Sequence, residues 1–328
     1  MEMMKRGRRN RRSAALRGLV RETRLSVEGL IFPLFFHENA EDVGIEAMPG
    51  CVRWSVAGLL GEVAEAWELG IRAVILFPKI AEENKGADGG GCADDEGLVP
   101  RVVRAIKERC PGMCVMTDVA LDPYSTDGHD GIVERDGRGG IKILNDETVE
   151  VLCRQALCHA RAGADVVAPS DMMDGRVGAI RVALDAGGFT ETGILAYTAK
   201  YASAFYGPFR GALDSAPKEG DKLTYQMDPG NVREALRELF QDEEEGADMV
   251  MVKPAGPYLD VIARLRDETT LPLAAYQVSG EYVMIKAACA GGWLDERAVV
   301  MESLVGIKRA GADMIVTYFA KDVARWLK

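Results

Sequence analysis

Two lysines follow runs of apolar residues that are typical of buried strands. Lys253 ends the run 249–252, and Lys200 follows the apolar stretch 193–197. Burial removes the hydration of an ammonium group and so favours the neutral amine. A neutral amine is a nucleophile that can condense with a carbonyl compound to a Schiff base. One such lysine would more often extend to solvent, whereas two at equivalent strand ends predict a reactive pocket with two amines.

The segments that must position these lysines alternate between strand-like and helical patterns. Strands are predicted over residues 31–36, 73–77, 114–117, 166–168, 194–197, 249–252, 273–278 and 314–317. Helices are predicted between them, among others over residues 59–69, 148–162, 232–244, 258–267 and 296–310. A Gly-Ala-Asp sequence precedes three of the strands, and its glycine is typical of a helix end. These eight units predict a (β/α)8 TIM barrel over residues 29–328, preceded by an extended basic arm over residues 1–28.

Barrel enzymes of this type build their active sites at the C-terminal ends of the strands. In the predicted barrel, these ends carry Asp118, Ser170, Asp171, Lys200, Lys253, Ser279 and Tyr318. Any strand end can be polar, but a structural role alone does not predict two lysines, a serine and a tyrosine together. We therefore expect these side chains to converge on one site.

The loop that follows the third strand is rich in carboxylates. Asp118, Ala120 and Asp122 alternate along an extended segment, and Asp130 could fold back towards them across a glycine-containing turn. Carboxylates beside two amines can transfer protons, stabilise an iminium ion or bind a hard cation. The spacing leaves these three roles open.

A second group of residues could bind an anionic substrate. Arg210 and Lys222 are cations that could hold a carboxylate, although either alone would more often be a solvated surface charge. The aromatic segment 205–209 precedes them and could form a mobile lid over the pocket.

The composition excludes several classes of protein. The chain has 328 residues, of which 48% are apolar and 28% charged, and its net charge is −11. No run approaches the roughly 20 apolar residues that span a bilayer, and no apolar signal peptide is visible. We therefore expect a cytoplasmic protein that does not associate with membranes. The seven cysteines are scattered, and their spacing is not that of a zinc ribbon.

The N-terminal arm is basic, whereas the chain as a whole carries a net negative charge. Its basic residues are Lys5, Arg6, Arg8, Arg9, Arg11 and Arg12, followed by Arg17, Arg21 and Arg24. Such an arm can bind nucleic acid, or it can lie on the acidic surface of a second copy of the same chain. Because stacking aromatic residues are not interleaved with the arginines, we favour the contact with a second copy.

Seven motifs, in order along the chain, resemble those of the porphobilinogen synthase (5-aminolaevulinate dehydratase) family. They are DVALDPYSTDGHDG, APSDMMDGRVGAIR, YTAKYASAFYGPFR, TYQMDPGN, EGADMVMVKPAGPYLD, AYQVSGEY and KRAGADMIVTYFA. The resemblance covers nearly the whole chain. It implies a (β/α)8 barrel that condenses two molecules of 5-aminolaevulinate to porphobilinogen, with loss of two waters, in tetrapyrrole (haem and chlorophyll) biosynthesis.

The resemblance also implies roles for individual residues. Lys253 would form the Schiff base with the substrate that gives the propionate side, and Lys200 with the substrate that gives the acetate side. Asp118 would be a candidate for proton transfer. The implied substrate-binding residues are Ser279 and Tyr318 for the first carboxylate, Arg210 and Lys222 for the second, and Phe205, Tyr206 and Gln226 around them.

Zinc-dependent members of the family carry three cysteines at the positions of Ala120, Asp122 and Asp130. Oxygen ligands suit magnesium or potassium rather than zinc. The resemblance therefore implies the aspartate-rich, magnesium-stimulated type without catalytic zinc, with Asp122 and Asp130 as candidate ligands of an active-site cation such as K⁺. It further implies an allosteric Mg²⁺ at Glu238, between subunits of a homo-octamer and near an arginine of the neighbouring arm.

Two other functions share features with this sequence. A class I aldolase would also be a barrel with a lysine on its sixth strand, but it needs one Schiff-base amine and, for sugar phosphates, an anion-binding loop. The glycine-rich segment 88–95 is too acidic for that purpose. A non-enzymatic barrel that binds nucleic acid through the arm is the second alternative, and the expected partners are instead 5-aminolaevulinate and further copies of the chain.

Overall fold

The computed structural model describes residues 5–136, 140–213 and 216–328. The strands are β1 (Leu30–Phe36), β2 (Val43–Gly44), β3 (Val52–Trp54), β4 (Ala73–Pro78), β5 (Cys114–Val119), β6 (Ile132–Arg135), β7 (Ile141–Leu144), β8 (Val166–Pro169), β9 (Gly193–Lys200), β10 (Met249–Lys253), β11 (Leu273–Gln277) and β12 (Met314–Thr317). The helices are α1 (Ala14–Leu19), α2 (Val56–Leu69), α3 (Leu98–Arg109), α4 (Asn145–Arg161), α5 (Arg176–Ala186), α6 (Gly207–Leu213), α7 (Arg233–Glu244), α8 (Leu259–Glu268), α9 (Ser279–Ala290), α10 (Glu296–Ala310) and α11 (Ala320–Leu327).

Eight parallel strands close into a barrel. They follow one another in the order β1, β4, β5, β8, β9, β10, β11 and β12, and β12 pairs with β1 to complete the ring. Helices connect successive strands along the outside, so both faces of each strand are covered and the strands are almost continuously apolar. The predicted (β/α)8 TIM barrel is confirmed.

The predicted strands all form, but several polar residues sit differently with respect to the strand ends. Asp118 lies within β5 and Lys200 is the last residue of β9, whereas the sequence pattern predicted both just beyond their strands. Ser279 begins α9 instead of ending β11. Asp118 and Lys200 lie within their strands because parallel pairing continues through Asp118 and Ala168 across β5 and β8, and through Lys200 and Lys253 across β9 and β10.

Two small hairpins were not predicted. Strands β2 and β3 pair next to β1, and strands β6 and β7 form a separate two-stranded sheet in the loop after β5. Each strand has only two to four residues, and none of these residues is buried. Such short, exposed segments lack the apolar run that identifies a barrel strand.

Glycine ends the helices that precede three barrel strands, as the repeated Gly-Ala-Asp sequence predicted. Gly163, Gly246 and Gly311 have φ values of 98°, 95° and 126°. An L-residue with a side chain rarely adopts such a backbone conformation, so glycine allows the chain to leave each helix and enter the next strand.

The N-terminal residues form short helices rather than a continuous one. A 3₁₀ helix covers Gly7–Arg11, and α1 follows with Ser13 as its N-cap. The basic side chains of residues 6–12 are exposed. In the described part of the chain, no helix is long and apolar enough to cross a membrane.

His159 in the last turn of α4 is fully buried, and neither of its ring nitrogens has a hydrogen-bond partner among the described residues. Burial lowers the pKa of His159 from 6.5 to about 3. The unfolded chain therefore binds a proton near pH 6.5 that the folded chain excludes. The folded state loses stability as the pH falls from 6.5 towards 3.

We expect the His159→Leu variant to lose this pH dependence. Its free energy of unfolding should change less steeply with pH below about 6.5 than that of the wild type, by up to about 1.4 kcal/mol per pH unit. Denaturant titrations of both proteins at several pH values measure the difference between the slopes. Parallel pH curves would show that His159 does not exclude a proton in the folded state.

Candidate active site

Lys200 and Lys253 lie side by side at the C-terminal mouth of the barrel. They pair in register across β9 and β10, and their exposed fractions are only 5% and 6%. Both line the same cavity at this end of the barrel. The structure thus brings the two predicted amines together in a single pocket.

Lys253 is surrounded by aromatic rings. Its Nζ lies 4.6 Å from the ring centroid of Tyr276 and 5.0 to 5.2 Å from those of Phe209, Tyr197 and Tyr206. Burial, together with the charge of Lys200, lowers the pKa of Lys253 to about 7. A substantial fraction of Lys253 is therefore a neutral amine near neutral pH, as a Schiff-base nucleophile requires.

Lys200 has a polar environment instead. Its Nζ lies 3.5 Å from Oδ2 of Asp130 and donates a hydrogen bond to the carbonyl oxygen of Ser170. An ammonium group at this position is compensated by a carboxylate and a backbone dipole. The two lysines are thus chemically different although they are neighbours.

Asp130 is the centre of a buried polar cluster. Its Oδ1 accepts a hydrogen bond from Lys222 Nζ at 3.1 Å, and its Oδ2 accepts one from Gln226 Nε2 at 3.4 Å. Burial opposes ionisation of Asp130, but the charges of Lys200 and Lys222 outweigh it and lower its pKa to about 2. Lys222 also lies 3.6 Å from Asp122, and burial raises the pKa of that second carboxyl.

Asp118 also lines this cavity, on the β5 side. Burial raises the pKa of Asp118 to about 7, and the nearby carboxylate of Asp122 acts in the same direction. Its Oδ1 is buried and has no hydrogen-bond partner among the described residues. A carboxyl group with these properties can both accept and donate a proton near neutral pH, which suits general acid–base catalysis.

The predicted alternation of Asp118, Ala120 and Asp122 along an extended segment is only partly correct. Strand β5 ends at Val119, after which the chain turns. Asp118 and Asp122 still reach the same cavity, together with Asp130. Ala120 is buried, and its carbonyl oxygen accepts a hydrogen bond from Gln155 at 3.3 Å.

The segment 205–209, predicted as a mobile lid, contributes two aromatic side chains to the cavity wall, and its mobility stays a prediction. Tyr206 and Phe209 line the cavity, and the Tyr206 hydroxyl donates a hydrogen bond to the carbonyl oxygen of Lys253 at 3.1 Å. Phe205 contributes its carbonyl oxygen, which accepts a hydrogen bond from Ser279 Oγ at 3.3 Å, while Phe209 N donates to the same Oγ at 3.0 Å. The lid is therefore attached to the start of α9.

Of the remaining predicted substrate-binding residues, Arg210 lines this cavity and Tyr318 does not. Arg210 lines the cavity beside Lys222, and within the described ranges it makes no ion pair or hydrogen bond. Tyr318 instead borders a separate cavity of about 610 Å³. Its hydroxyl contacts that of Tyr276 at 3.0 Å, so one aromatic ring separates Tyr318 from Lys253.

Glu238 lies on α7 and does not line this pocket, although Gln226 borders both cavities. It borders a cavity of about 1140 Å³ together with Asn145, Asp174 and Glu234. Burial raises the pKa of Glu238, and the carboxylates of Asp174 and Glu234 act in the same direction. Within the described ranges, no three histidine, cysteine or carboxylate side chains converge closely enough to form a metal centre.

Sequence reasoning did not identify the aromatic residues around Lys253 that come from within the strands. Tyr197 is fully buried, and its hydroxyl has no partner among the described residues. Tyr276 is also buried, and burial raises its pKa. Both tyrosines are visible in the motifs YTAK and AYQVSGEY. They did not indicate a site, because tyrosine inside an apolar strand is more often part of the core.

The low pKa of Lys253 can be tested by competitive acetylation followed by mass spectrometry. The labelling rate of the wild type should rise through about pH 7 as the amine becomes neutral. Replacement of the neighbouring charge in Lys200→Met should move this rise to higher pH, while burial keeps it below the ordinary value of 10.5.

Lys107→Met is the matched control, because Lys107 is bound by Asp165 at 2.9 Å and does not line the cavity. It should leave the labelling profile of Lys253 unchanged. A profile that is also unchanged in Lys200→Met would contradict the interaction between the two amines.

Comparisons with known proteins identify close relatives. The chain is 59% identical over 327 residues to the chloroplastic delta-aminolevulinic acid dehydratase of Physcomitrium patens, which covers 99% of this chain and 74% of the relative. It is 58% identical over 329 residues to the chloroplastic enzyme of Oryza sativa subsp. japonica, covering 100% and 76%. The Toxoplasma gondii ME49 enzyme, solved in complex with the reaction product porphobilinogen, superimposes with a TM-score of 0.96 at 54% identity, covering 99% and 92%.

These relatives correct one prediction. The expectation of a cytoplasmic protein is wrong, because the similar curated proteins are named chloroplastic. That expectation depended on the lack of an apolar signal peptide. Segments that direct proteins to plastids are not apolar, so this criterion does not detect them.

The family comparison agrees with the geometry of the pocket. A family model described as delta-aminolevulinic acid dehydratase matches residues 4–326. The match includes both buried lysines, the carboxylates beside them and the lid. The chain therefore belongs to the delta-aminolevulinic acid dehydratase family, also called porphobilinogen synthase.

Proposed function

We propose that this protein condenses two molecules of 5-aminolaevulinate to porphobilinogen, with loss of two waters, in tetrapyrrole biosynthesis. The observation that carries this function is the pair of buried amines in one cavity, Lys200 and Lys253. Each substrate molecule has one ketone, so each amine can hold one substrate as a Schiff base. The enzyme class predicted from the motifs is confirmed by the family match and the relatives.

In the first step, the neutral amine of Lys253 attacks the ketone carbon of one substrate. The carbinolamine that results must lose its hydroxyl group as water to become an imine, which requires a proton donor. Asp118 lines the same cavity, and its pKa of about 7 allows it to supply that proton and take one back later. The imine nitrogen then withdraws electrons and acidifies the adjacent carbon, which can attack the second substrate.

The second substrate is assigned to Lys200. Asp130 lies 3.5 Å from its Nζ, so its carboxylate can stabilise the positive charge of an iminium ion that forms there. Arg210 and Lys222 are close to this amine and provide positive charge for the carboxylate of the substrate. Ser279 and Tyr318 are assigned to the carboxylate of the first substrate.

A class I aldolase activity is less consistent with this pocket. An aldolase requires one Schiff-base lysine, and the second buried amine would have no function in it.

Borohydride reduction in the presence of 5-aminolaevulinate tests the covalent step. A stable adduct should form on Lys253 or Lys200 and be located by peptide mass spectrometry. The Lys253→Arg variant keeps a positive charge but cannot form an imine, so the production of porphobilinogen should fall by about a thousandfold or more. Lys107→Arg is the control and should retain activity. Appreciable turnover by Lys253→Arg would contradict the assignment of Lys253 as a Schiff-base lysine.

We further propose that the protein is of the aspartate-rich, magnesium-stimulated type and has no catalytic zinc. The three positions that would require thiolates are Ala120, Asp122 and Asp130. Lys222 Nζ contacts both aspartates, so an ammonium group supplies positive charge between them. Asp122 and Asp130 remain candidate ligands for a cation such as K⁺, which would have to bind beside that ammonium.

The proposed allosteric Mg²⁺ belongs at Glu238. The donors around this residue are carboxylate and amide oxygens, the ligands that Mg²⁺ prefers, and one or two carboxylates with several waters are enough to hold it. Magnesium bound there would reduce the negative charge of this cavity. We propose that the arm of a neighbouring subunit, residues 1–12, contacts this region in a homo-octamer.

Removal of residues 1–12 should therefore lower the oligomer size and weaken the stimulation by magnesium together. Glu238→Ala should lose the stimulation while both lysines still form imines, because the site lies outside the reacting cavity. Glu268→Ala, a surface carboxylate on α8 that pairs with Arg264, is the control. Sedimentation velocity and activity at varied magnesium measure these effects. An arm-deleted protein of unchanged size and response would contradict the proposal.

A further inference from the structure

The carboxylate of Glu281 connects the C-terminal ends of β10 and β11. Its Oε2 accepts hydrogen bonds from Val278 N at 2.8 Å and Ala255 N at 3.4 Å, and its Oε1 accepts one from Gly256 N at 2.7 Å. Val278 directly follows β11, while Ala255 and Gly256 belong to the turn that follows β10. One side chain therefore fixes the backbone of two neighbouring strand ends.

The close approach of this carboxylate also explains a glycine. A Cβ atom on residue 256 would lie 2.6 Å from Oε1 of Glu281, which is too close for any ordinary contact. Glycine at this position allows the backbone N–H to meet the carboxylate directly. Gly256 and Glu281 thus form one unit, and a change at either residue should displace the same contact.

The unit formed by Gly256 and Glu281 lies between Lys253 and Ser279, two residues of the proposed site. Lys253 lies two residues before Ala255, and its carbonyl oxygen is held by Tyr201 N at 3.0 Å and by the Tyr206 hydroxyl at 3.1 Å. Ser279 directly follows Val278 and is almost fully buried. The amides that Glu281 binds are therefore adjacent to the Schiff-base lysine on one side and to the proposed carboxylate-binding serine on the other.

We propose that Glu281 is a positioning residue that sets the separation between the Lys253 amine and the Ser279 hydroxyl, and thereby selects the chain length of the keto acid. The inference rests on the proposed function, in which one substrate is held by its ketone at Lys253 and by its carboxylate at Ser279. 5-Aminolaevulinate has two methylene groups between these two functions. A fixed separation accepts this length and rejects a chain that is longer by one methylene group.

Imine trapping with two simple keto acids measures this selection directly. Borohydride reduction is carried out with 4-oxopentanoate, which has the substrate spacing, or with 5-oxohexanoate, which is longer by one methylene group. The adduct on Lys253 is quantified by mass spectrometry. Burial raises the pKa of Glu281 to about 7, so the reaction is run at about pH 8.5, where the carboxylate is ionised.

In the wild type, 4-oxopentanoate should be trapped at least about tenfold more efficiently than 5-oxohexanoate. Glu281→Gln replaces one accepting oxygen with a donor, so at least one of the three bonds from the backbone amides is lost. We expect the discrimination in this variant to fall to about threefold or less. The KM for 5-aminolaevulinate should rise about tenfold, with a smaller change in kcat, because the held groups bind the substrate before the reaction.

Two further variants distinguish positioning from general stability. Gly256→Ala displaces the carboxylate without changing its charge and should reduce the discrimination in the same direction, even if Glu281→Gln folds poorly. Asp295→Ala removes a comparable carboxylate-to-amide bond, to Ala298 N at 2.7 Å at the start of α10, and should leave the discrimination unchanged.

The outcomes separate this inference from the function on which it rests. A wild type that forms no adduct on Lys253 with either acid would contradict the proposed function itself. A wild type that forms the adduct selectively, together with Glu281→Gln and Gly256→Ala variants that keep the same selectivity and KM, would overturn the role of Glu281 alone.

Discussion

The site depends on the burial of two amines at the ends of neighbouring strands. A buried ammonium group is costly unless an opposite charge compensates it or it loses its proton. Lys200 has a carboxylate and a carbonyl oxygen beside its amine, those of Asp130 and Ser170. Lys253 is surrounded by aromatic rings instead, and its pKa falls to about 7. One physical constraint thus produces two amines with different reactivity.

The same constraint determines the charge of the whole cavity. Lys200, Lys222 and Arg210 contribute three cationic side chains, whereas Asp130 is the carboxylate whose pKa lies well below neutrality. Asp118 has a pKa raised to about 7 and therefore contributes less than a full negative charge near neutral pH. The cavity is therefore favourable for a negatively charged substrate, although its wall contains three aspartates.

The sequence predicted the barrel and both lysines because each feature is encoded locally. A continuous apolar run identifies a buried parallel strand, and a lysine at its end is visible in the same few residues. The hairpins β2–β3 and β6–β7 were not visible, since their short strands have no buried face. Tyr276 and Glu281 were missed for another reason. Their importance arises from contacts across different strands, and neither residue type nor spacing reveals such contacts.

The contacts of the Ser279 hydroxyl with the segment 205–209 determine what the binding of a carboxylate by this serine would change. Ser279 uses its hydroxyl proton to donate to the carbonyl oxygen of Phe205, and its oxygen accepts from Phe209 N. A hydroxyl group has a single proton, so Ser279 cannot donate to Phe205 and to a substrate carboxylate at the same time. Binding of a carboxylate there must release Phe205, while the bond from Phe209 N can persist. Release of Phe205 by a bound carboxylate would then rearrange one end of the segment 205–209, which carries Tyr206 and directly precedes Arg210, and both of these residues line the cavity.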